Sequence, residues 1–289
     1  MNGGTSIHPH SIADCLSADD YQRLADFIHS SSGIKMPSSK KTFLEGRLRK
    51  RLRLLGYDSF DEYCHYVFDE GGLFEEETAL IDAVTTNKTD FFRESHHFDF
   101  LIREGLPRLV DRGLGIHHPL RVWSAGCANG AEAYTIAMVC HDFAQRTPRF
   151  RFDIFGSDIC VSALNDAARA VYPHAMIAPV PMTMRRRYLL RDEEQDEVRI
   201  VPELRRMVSF AYINLIDPDY RLQRSMDIVF CRNLLIYFDR QTQRTVLQRL
   251  CRNLKVGGYL ILGHSESVTG LDLPLRSVAT TIFIREDGP

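Results

Sequence analysis

The sequence predicts an α/β fold in which an all-α N-terminal domain precedes a larger domain built on a mostly parallel sheet. Residues 17 to about 112 show helical patterns without a convincing strand. Beyond them, short apolar runs alternate with helical patterns, as in a parallel sheet with helices on both faces. The alternation stops between Pro173 and Asn214, where short β-like pieces flank an acidic turn at 192–197. We therefore also expect a small antiparallel insertion.

The composition is that of an ordinary globular protein and excludes collagen-like, low-complexity and coiled-coil classes. The 289 residues are 44% hydrophobic and 26% charged, with 18 Gly and 12 Pro. The formal net charge of −2 gives no overall field that attracts nucleic acid or anionic lipid. Any such affinity would have to be local.

Membrane, secretory and metal-binding classes are also disfavoured. No apolar run approaches the roughly 20 residues of a membrane span, and residues 1–20 lack a basic region followed by an apolar one. We therefore expect a soluble, cytoplasmic protein. The seven cysteines are an odd number without C-x-x-C spacing, which argues against disulfides and structural zinc. His96 and His97 are expected on a helix surface, and no metal site is predicted, because no third ligand is indicated.

The N-terminal domain is expected to follow a frayed leader, residues 1–16. Ser17 lies three residues before an acid, a capping arrangement that opens a helix through Ile28, and Gly33 stops it. A second helix is predicted over 38–56, because four leucines form one apolar stripe: Leu44, Leu48, Leu52 and Leu55. Further helical patterns cover residues 60–68, 73–84 and 95–110.

The second predicted helix is strongly basic. It carries seven cations and a single acid, Glu45, which gives a local net charge of +6. The cations are Lys40, Lys41, Arg47, Arg49, Lys50, Arg51 and Arg53. A solvated basic face, a nucleic-acid patch and a docking surface for an acidic protein helix are all compatible with this pattern.

The larger domain is expected to begin after the loop-like segment 113–119. Strands are predicted over 121–125, 152–156, 226–231, 259–262 and 280–285, and helices over 131–144, 161–171 and 240–254. The β-like pieces of the insertion are residues 198–201 and 208–212.

The first of these strands runs into a loop with two glycines, Gly126 and Gly130, the place where a doubly wound sheet binds its cofactor. The spacing matches neither a dinucleotide fingerprint nor a P-loop, and Glu132 at the helix start disfavours a phosphate. Asp158 after the second strand is suited to accept hydrogen bonds from ribose hydroxyls. The two acids favour an adenosine ligand with positive charge and no phosphates, S-adenosylmethionine. The alternative is that all four residues serve only as turn and cap residues.

Five strings in the chain resemble the chemotaxis receptor methyltransferases of the CheR family. They are TNKTDFFR at 86–93, RVWSAGCANGAEAY at 121–134, GSDI at 156–159, DIVFCRNLLIYFD at 227–239 and GHSES at 263–267. The resemblance covers nearly the whole chain, and CRNLLIYF is its most specific part. It implies a Rossmann-like S-adenosylmethionine-dependent methyltransferase domain with a small antiparallel β-subdomain, after a helical N-terminal domain. The implied boundaries are 17–85 for the helical domain, 86–118 for a linker with part of the cofactor site, 119–289 for the methyltransferase domain and about 173–212 for the β-subdomain.

The resemblance implies transfer of a methyl group from S-adenosylmethionine to glutamate side chains on the cytoplasmic helices of chemoreceptors. The basic helix would then dock on an acidic receptor helix through Arg47, Arg49, Lys50, Arg51 and Arg53. A tethering peptide at a receptor's C-terminus is a further partner suggested for the β-subdomain. We expect a monomer without membrane insertion or a nucleic-acid partner. The rival hypotheses are a nucleic-acid methyltransferase that uses residues 38–56 and a binding module that senses the cofactor.

The resemblance also assigns cofactor contacts by position. They are Asn87, Thr89, Arg93, Gly126, Glu132, Asp158, Asn214, Leu215, Asn233 and Leu234. Where the family usually has GEEPY, this chain has GAEAY at 130–134, so the cofactor role falls to its single acid, Glu132.

The implied chemistry requires positioning rather than a base, because a glutamate side chain is already ionised at neutral pH. Arg93 is the residue predicted to orient the incoming carboxylate, since a guanidinium fork matches its two oxygens. Tyr237 is the second catalytic candidate, with its hydroxyl lining the methyl-transfer site. His264 is expected to be structural, because no partner stands at a recognisable spacing.

Overall fold

A computed structural model describes residues 15–287, which divide into two compact units between Thr86 and Asn87. Most of the predicted leader, residues 1–14, lies outside the described residues. Its last residue, Leu16, is buried, and its N–H donates to Oε1 of Glu45 at 3.1 Å. Leu16, which the sequence assigned to the frayed leader, is therefore packed against the helical unit.

The N-terminal unit is all-α among its described residues. Its helices are α1 (Ala18–Ser32), α2 (Lys41–Leu55), α3 (Phe60–Asp69) and α4 (Leu73–Val84), with a 3₁₀ turn at Ser38–Lys40 before α2. The side chain of Ser17 accepts the N–H of Asp20, and Gly33 in the left-handed conformation ends α1. The predicted cap and stop are thus confirmed, although α1 continues past Ile28 to Ser32.

The core of this unit contains the apolar stripe of α2. Leu44, Leu48 and Leu52 are fully buried, and burial of side chains of this size contributes roughly 1.5–3 kcal/mol each. Leu55 is 38% exposed, so its predicted place in the stripe is wrong. It is the last residue of α2, and Gly56 in the left-handed conformation turns the chain away there.

One continuous helix was predicted over 95–110, near the start of the C-terminal unit, but the structure divides this stretch into three parts. The structure has α5 (His96–Phe100), a π-helical turn (Leu101–Gly105) and α6 (Leu106–Asp111). Pro107 near the start of α6 lacks the N–H that a continuous α-helix requires, which is compatible with the change of hydrogen-bond pattern at this point.

A seven-stranded sheet forms the centre of the C-terminal unit, in the order β6-β2-β1-β7-β8-β10-β9. Its strands are β1 (Leu120–Ala125), β2 (Phe152–Asp158), β6 (Val208–Tyr212), β7 (Met226–Cys231), β8 (Leu254–Leu262), β9 (Leu275–Ala279) and β10 (Ile282–Arg285). The strands from β6 to β8 in this order pair in parallel, and β10 and β9 add antiparallel pairs at one edge.

A separate three-stranded antiparallel sheet confirms the predicted insertion but is smaller than expected. It consists of β3 (Val171–Pro173), β4 (Leu189–Asp192) and β5 (Glu197–Ile200), in the order β3-β5-β4. The piece at 208–212, which was assigned to the insertion, is β6 and pairs in parallel with β2 of the main sheet. The sequence also missed β3, because it read residues 161–171 as one helix, and it missed β9.

The remaining helices connect these strands. They are α7 (Ala131–Ala144), α8 (Val161–Arg169), α9 (Met182–Tyr188), α10 (Pro202–Arg205) and α11 (Arg240–Asn253), with 3₁₀ turns at His174–Ile177 and Leu235–Tyr237. Strand order reverses at β1, which lies between β2 and β7. In open α/β sheets, the crevice at the carboxyl ends of the strands beside such a reversal binds ligands.

Candidate active site

The loop after β1 is built for close backbone approach. Gly126 and Gly130 have φ angles of 75° and 84°. A Cβ at Gly130 would lie 2.8 Å from the Cβ of Ala167, so a side chain is excluded there. The N–H groups of Gly126 and Cys127 both donate to the carbonyl oxygen of Ser157, at 2.8 and 2.9 Å, which joins this loop to the end of β2.

Asp158 fastens the same loop from the end of β2. Its carboxylate accepts the N–H of Ala128 at 2.8 Å and that of Cys160 at 2.9 Å, and the residue is buried. A carboxylate has about four lone-pair positions, so these two bonds are compatible with acceptance from ligand hydroxyls as well.

Glu132 lies in the first turn of α7 with its carboxylate held by two donors. Ser124 Oγ donates to Oε1 at 2.6 Å, and Arg232 Nη1 donates to Oε2 at 2.9 Å. The alanines on either side, Ala131 and Ala133, are fully buried. Asn129 Oδ1 accepts the N–H of Ala131 at 3.2 Å, so the helix starts here without the proline that the family usually has.

The segment that carries Arg93 is hydrogen-bonded to several parts of the same unit. Asn87 Nδ2 donates to Cys160 Sγ at 3.0 Å, and the N–H of Phe92 donates to Thr135 Oγ1 at 3.2 Å. Arg93 Nη1 donates to the carbonyl oxygen of Lys88 at 3.1 Å. Thr89 is half-buried in this segment. These contacts attach the segment to α7 and to the turn after β2.

Arg232 and Glu94 were not among the predicted site residues, yet they connect several of them. The side chain of Arg232 is 2% exposed and forms ion pairs with Glu132 at 2.9 Å and Glu94 at 3.4 Å. It also donates to the carbonyl oxygen of Arg93. The available sequence signal was a charged residue directly after the fully apolar end of β7, inside the string CRN.

Glu94 remains ionised within this cluster. Burial opposes its ionisation, but the hydrogen bond from His264, the charge of Arg232 and the amide of Asn233 outweigh burial and lower the pKa of Glu94 to about 2. His264 Nδ1 lies 3.0 Å from Glu94 Oε1. His264 therefore does have a partner, which sequence spacing could not reveal.

The turn after β7 is organised by Glu266, another residue the sequence analysis missed. Its buried carboxylate accepts four backbone N–H groups at 2.6 to 3.0 Å, from Asn233, Leu234, Leu235 and Gly263. Burial raises the pKa of Glu266, and the four N–H donors act in the opposite direction. Tyr237, half-buried, follows in the 3₁₀ turn Leu235–Tyr237.

Leu234 and the pair Asn214–Leu215 complete the carboxyl edge of the sheet. A Cβ placed on Gly126 would lie 3.2 Å from both methyl carbons of Leu234, so the loop after β1 and the turn after β7 are adjacent. Asn214 and Leu215 are buried just after β6, whose last residue, Tyr212, pairs with Asp158. Asn214 Oδ1 accepts the N–H of Ile216 at 3.2 Å.

His97 differs from its predicted surface position. It is fully buried, and its Nε2 lies 2.8 Å from Thr281 Oγ1. Burial and the nearby charge of Arg232 lower the pKa of His97 to about 3, so the ring is neutral at physiological pH. His96, the neighbour, is exposed as predicted.

The five cations of α2 that were predicted to dock on a partner differ in their exposure and in their contacts. Arg47, Lys50 and Arg53 are exposed at a spacing of three residues. Arg51 is bound by Glu76, whose carboxylate accepts from Nε at 2.8 Å and from Nη2 at 2.5 Å. The guanidinium of Arg49 lies 5.3 Å from the ring centre of Phe60. Arg51 is therefore committed to an internal pair and is unsuited to the docking role predicted for it.

Neither a metal-binding cluster nor a membrane-spanning helix is found within residues 15–287. No cluster of three or more His, Cys, Asp or Glu side chains there could hold a metal ion. None of the helices in this range is both long and apolar enough to cross a membrane.

The chemistry of the carboxyl edge fits the predicted cofactor. Glu94 and Glu132 both pair with the guanidinium of Arg232, and Asp158 adds a third carboxylate at the end of β2, so carboxylates at this edge outnumber the one guanidinium charge. A sulfonium and an ammonium group suit such a surface, and a di- or triphosphate does not. Leu215 is buried just after β6, and half-buried Leu234 lies against the left-handed loop after β1, so apolar side chains of the kind that suit an adenine ring are present at this edge.

Comparison with known proteins supports the same assignment. The family model "CheR methyltransferase, SAM binding domain" matches residues 87–284, and "CheR methyltransferase, all-alpha domain" matches residues 19–85. The chain is 35% identical over 257 residues to a chemotaxis protein methyltransferase of Borreliella burgdorferi, covering 88% of this chain and 90% of the relative. It is 36% identical over 268 residues to chemotaxis protein methyltransferase 2 of Pseudomonas aeruginosa, covering 92% of each. It is 35% identical over 270 residues to the Escherichia coli chemotaxis protein methyltransferase, covering 93% of this chain and 91% of the relative.

Proposed function

Because the chain belongs to the CheR methyltransferase family, we propose that this S-adenosylmethionine-dependent protein methyltransferase acts on glutamate side chains of chemoreceptors. The products are glutamyl methyl esters on the cytoplasmic receptor helices. The observation that carries the proposal is the match over 87–284, which includes every candidate cofactor and catalytic residue. The relatives named for chemotaxis support the receptor as the substrate.

The proposed cofactor residues contribute different chemical groups to the site. Glu132 and Asp158 provide carboxylate acceptors, Asn214 and Asn233 provide amides, and Leu215 and Leu234 provide apolar surface. Asn87, Thr89, Arg93 and Gly126 complete the proposed set at the start of the unit. When bound, S-adenosylmethionine supplies an electrophilic methyl group on a positively charged sulfur.

The substrate glutamate reacts as a carboxylate. One of its oxygens forms a bond to the methyl carbon while the carbon–sulfur bond breaks, which gives an ester and S-adenosylhomocysteine without any proton transfer. The side chains that matter are therefore those that hold the carboxylate in line. Arg93 is the proposed orienting cation, and Tyr237 is proposed to line the transfer site.

The N-terminal unit is proposed to contribute the encounter with the substrate. Arg47, Lys50 and Arg53 form the exposed basic stripe of α2, and an acidic receptor helix is the complementary surface. A tethering peptide on the β3-β5-β4 sheet remains a second proposed contact.

Transfer from methyl-labelled S-adenosylmethionine to receptor-containing membranes tests the proposed function. We expect label in the receptor that alkali releases as methanol, because methyl esters are base-labile. A receptor whose helix glutamates are changed to alanine is the matched control and should take up no label. Label in nucleic acid with a steep salt dependence would support a nucleic-acid methyltransferase instead, and cofactor binding without any transfer would support a sensing module.

A further inference from the structure

The guanidinium of Arg232 lies between the segment that carries Arg93 and the first turn of α7. Its side chain is 2% exposed. Nη2 donates to the carbonyl oxygen of Arg93, and Nη1 donates to Glu132 Oε2 at 2.9 Å. One planar group therefore contacts both the residue proposed to orient the substrate and a residue proposed to contact the cofactor.

Glu94 holds this guanidinium and connects it to the ends of two strands. Its Oε2 lies 3.4 Å from Arg232 Nη2. Its Oε1 accepts from Asn233 Nδ2 at 3.2 Å, just after β7. The N–H of His264, two residues after β8, donates to Oε2 at 3.2 Å, and the ring Nδ1 lies 3.0 Å from Oε1.

The backbone around Arg232 is held in an unfavourable conformation. Phe92, Glu94 and Asn233 have φ angles of 53°, 55° and 56°, in the left-handed region that non-glycine residues rarely adopt. Such residues persist only where the surrounding contacts impose the conformation, and they concentrate at functional sites. Here Glu94 and Asn233 are held by hydrogen bonds with one another, with His264 and with Glu266, and the N–H of Phe92 donates to Thr135 Oγ1.

Stability alone does not account for this cluster. Desolvation of buried charges largely cancels their attraction, and well-packed apolar side chains are often as stable. Moreover, Nε of Arg232 finds no hydrogen-bond partner among the described residues. The contacts that the guanidinium does make join the Arg93 segment to Glu132. Methyl transfer depends on how these two parts of the site are placed relative to each other.

We infer that Arg232 and Glu94 are positioning residues for methyl transfer: Arg232 fixes the Arg93 segment relative to Glu132, and Glu94 fixes Arg232. The inference rests on the proposed function, since it requires Arg93 to meet the substrate carboxylate. Displacements near 1 Å can lower a rate by on the order of 100-fold, so a clamp of this kind is consequential without touching the reactants.

Glu94→Gln is the first test, because it keeps the size of the side chain and removes its charge. We expect kcat for receptor methylation to fall at least 10-fold at saturating cofactor and receptor. The affinity for S-adenosylhomocysteine, measured by calorimetry, should fall by a smaller factor than kcat, because residues 87–94 provide only part of the proposed cofactor contacts and Glu94 does not contact Glu132. Hydrogen exchange should become faster over residues 87–94. Glu104→Gln, at an exposed acid paired with Arg108, is the matched control and should change none of these values.

Arg232→Lys is the second test, because an ammonium group cannot bridge both partners. We expect kcat and S-adenosylhomocysteine affinity each to fall at least 10-fold. Combination of Glu94→Gln with Arg93→Lys should reduce kcat by much less than the product of the single effects, since both act through the same segment.

Native kcat and native hydrogen exchange in a folded Glu94→Gln protein would overturn the inference, and so would multiplicative effects in the double variant. If Arg232→Lys fails to fold, the Glu94→Gln measurements still decide. Failure of the proposed function is separable: the native chain would then leave receptors unmethylated, while the exchange and calorimetric measurements would still report whether Glu94 and Arg232 hold residues 87–94 and Glu132.

Discussion

In the N-terminal unit three cations of α2, Arg47, Lys50 and Arg53, are exposed, whereas in the C-terminal unit Arg232 is buried and paired with Glu94 and Glu132. The side chain of Arg232 is 2% exposed. Water solvates an exposed charge, so each of these three cations is individually replaceable, whereas a buried charge that loses its partner incurs a desolvation penalty. The first arrangement suits attraction of a partner, and the second suits fixed geometry.

Removal of Glu266 should be the most damaging change to the buried arrangement. Glu266→Ala would leave the N–H groups of Asn233, Leu234, Leu235 and Gly263 without their acceptor, and each buried unsatisfied donor costs about 1–3 kcal/mol. We expect the free energy of unfolding to fall by about 4 kcal/mol or more. Urea denaturation followed by the fluorescence of Trp123, the single tryptophan, reports on this unit.

Glu76→Ala is the matched change in the N-terminal unit. Glu76 is also buried, but its partners are the side chains of Arg51, which is 23% exposed, and Tyr63. Water can replace part of these contacts, so the loss should be about 1–3 kcal/mol. An equal or larger loss than for Glu266→Ala would contradict the distinction between the two units.

Arg93→Ala should have the largest effect on catalysis. If positioning dominates the barrier, turnover should fall on the order of 100-fold, which corresponds to about 2.7 kcal/mol. Arg93→Lys keeps the charge but loses the bidentate fork, and it should lower turnover more than cofactor affinity. Steady-state methylation and calorimetry with S-adenosylhomocysteine separate the two quantities. Near-normal turnover would show that the carboxylate is held elsewhere, and Tyr237 would be tested next.

Asp158→Ala should weaken S-adenosylhomocysteine binding by roughly 1.5–3 kcal/mol, as expected for hydrogen bonds to a charged acceptor. Part of this loss would come from the loop, because Asp158 accepts the N–H of Ala128. Asp153→Ala, at an exposed position of the same strand, is the control and should leave the affinity unchanged. An unchanged affinity in a folded Asp158→Ala protein would remove Asp158 from the proposed site.

The sequence predicted what local patterns encode. The cap at Ser17, the helix at 131–144 and the strand at 226–231 follow from spacing and composition within a few residues, and the structure confirms them. The five strings that resemble the CheR family contain most of the residues at the carboxyl edge of the sheet. The predicted insertion was too long, because a short apolar run such as 208–212 has the same pattern in the small antiparallel sheet and in the main sheet. Only its pairing with β2 shows that it belongs to the main sheet.

The buried partners could not be predicted for the same reason. Arg232 lies 100 positions from Glu132 and 138 from Glu94 in the sequence, and no pattern relates them. Arg51 shows the opposite error: its charge suggested a surface role, but Glu76, 25 residues away, neutralises it inside the unit. Patterns report which residues are charged, and tertiary contacts decide which charges remain available.

His97 gives the buried cluster a pH dependence that α2 should lack. The unfolded chain takes up a proton near pH 6.5, whereas the folded pKa is about 3, so the unfolded state binds more protons between these values. The free energy of unfolding should therefore decrease as pH falls below 6.5. Between pH 7 and 5, before Glu94 titrates in the unfolded chain, His97→Gln should show a smaller decrease than the native protein. His96→Gln, at the exposed neighbour, should retain the native slope.

The smallest effect should come from charge reversal on α2, because it alters encounter and leaves the carboxyl edge intact. Arg47→Glu with Lys50→Glu should lower the receptor methylation rate roughly 3- to 10-fold at low ionic strength, and the difference should shrink as salt screens the attraction. S-adenosylhomocysteine affinity should not change.

The matched control for this pair is Arg244→Glu with Arg252→Glu on α11, which changes net charge equally at two exposed positions of the other unit. If both pairs slow methylation alike, overall charge rather than the α2 stripe is responsible. If neither pair does at low salt, α2 is a solvated face. If α2 is a docking surface, only the Arg47→Glu/Lys50→Glu variant should lose methylation rate. Charge reversal at Arg51 would be uninformative, because it would place a second acid next to Glu76.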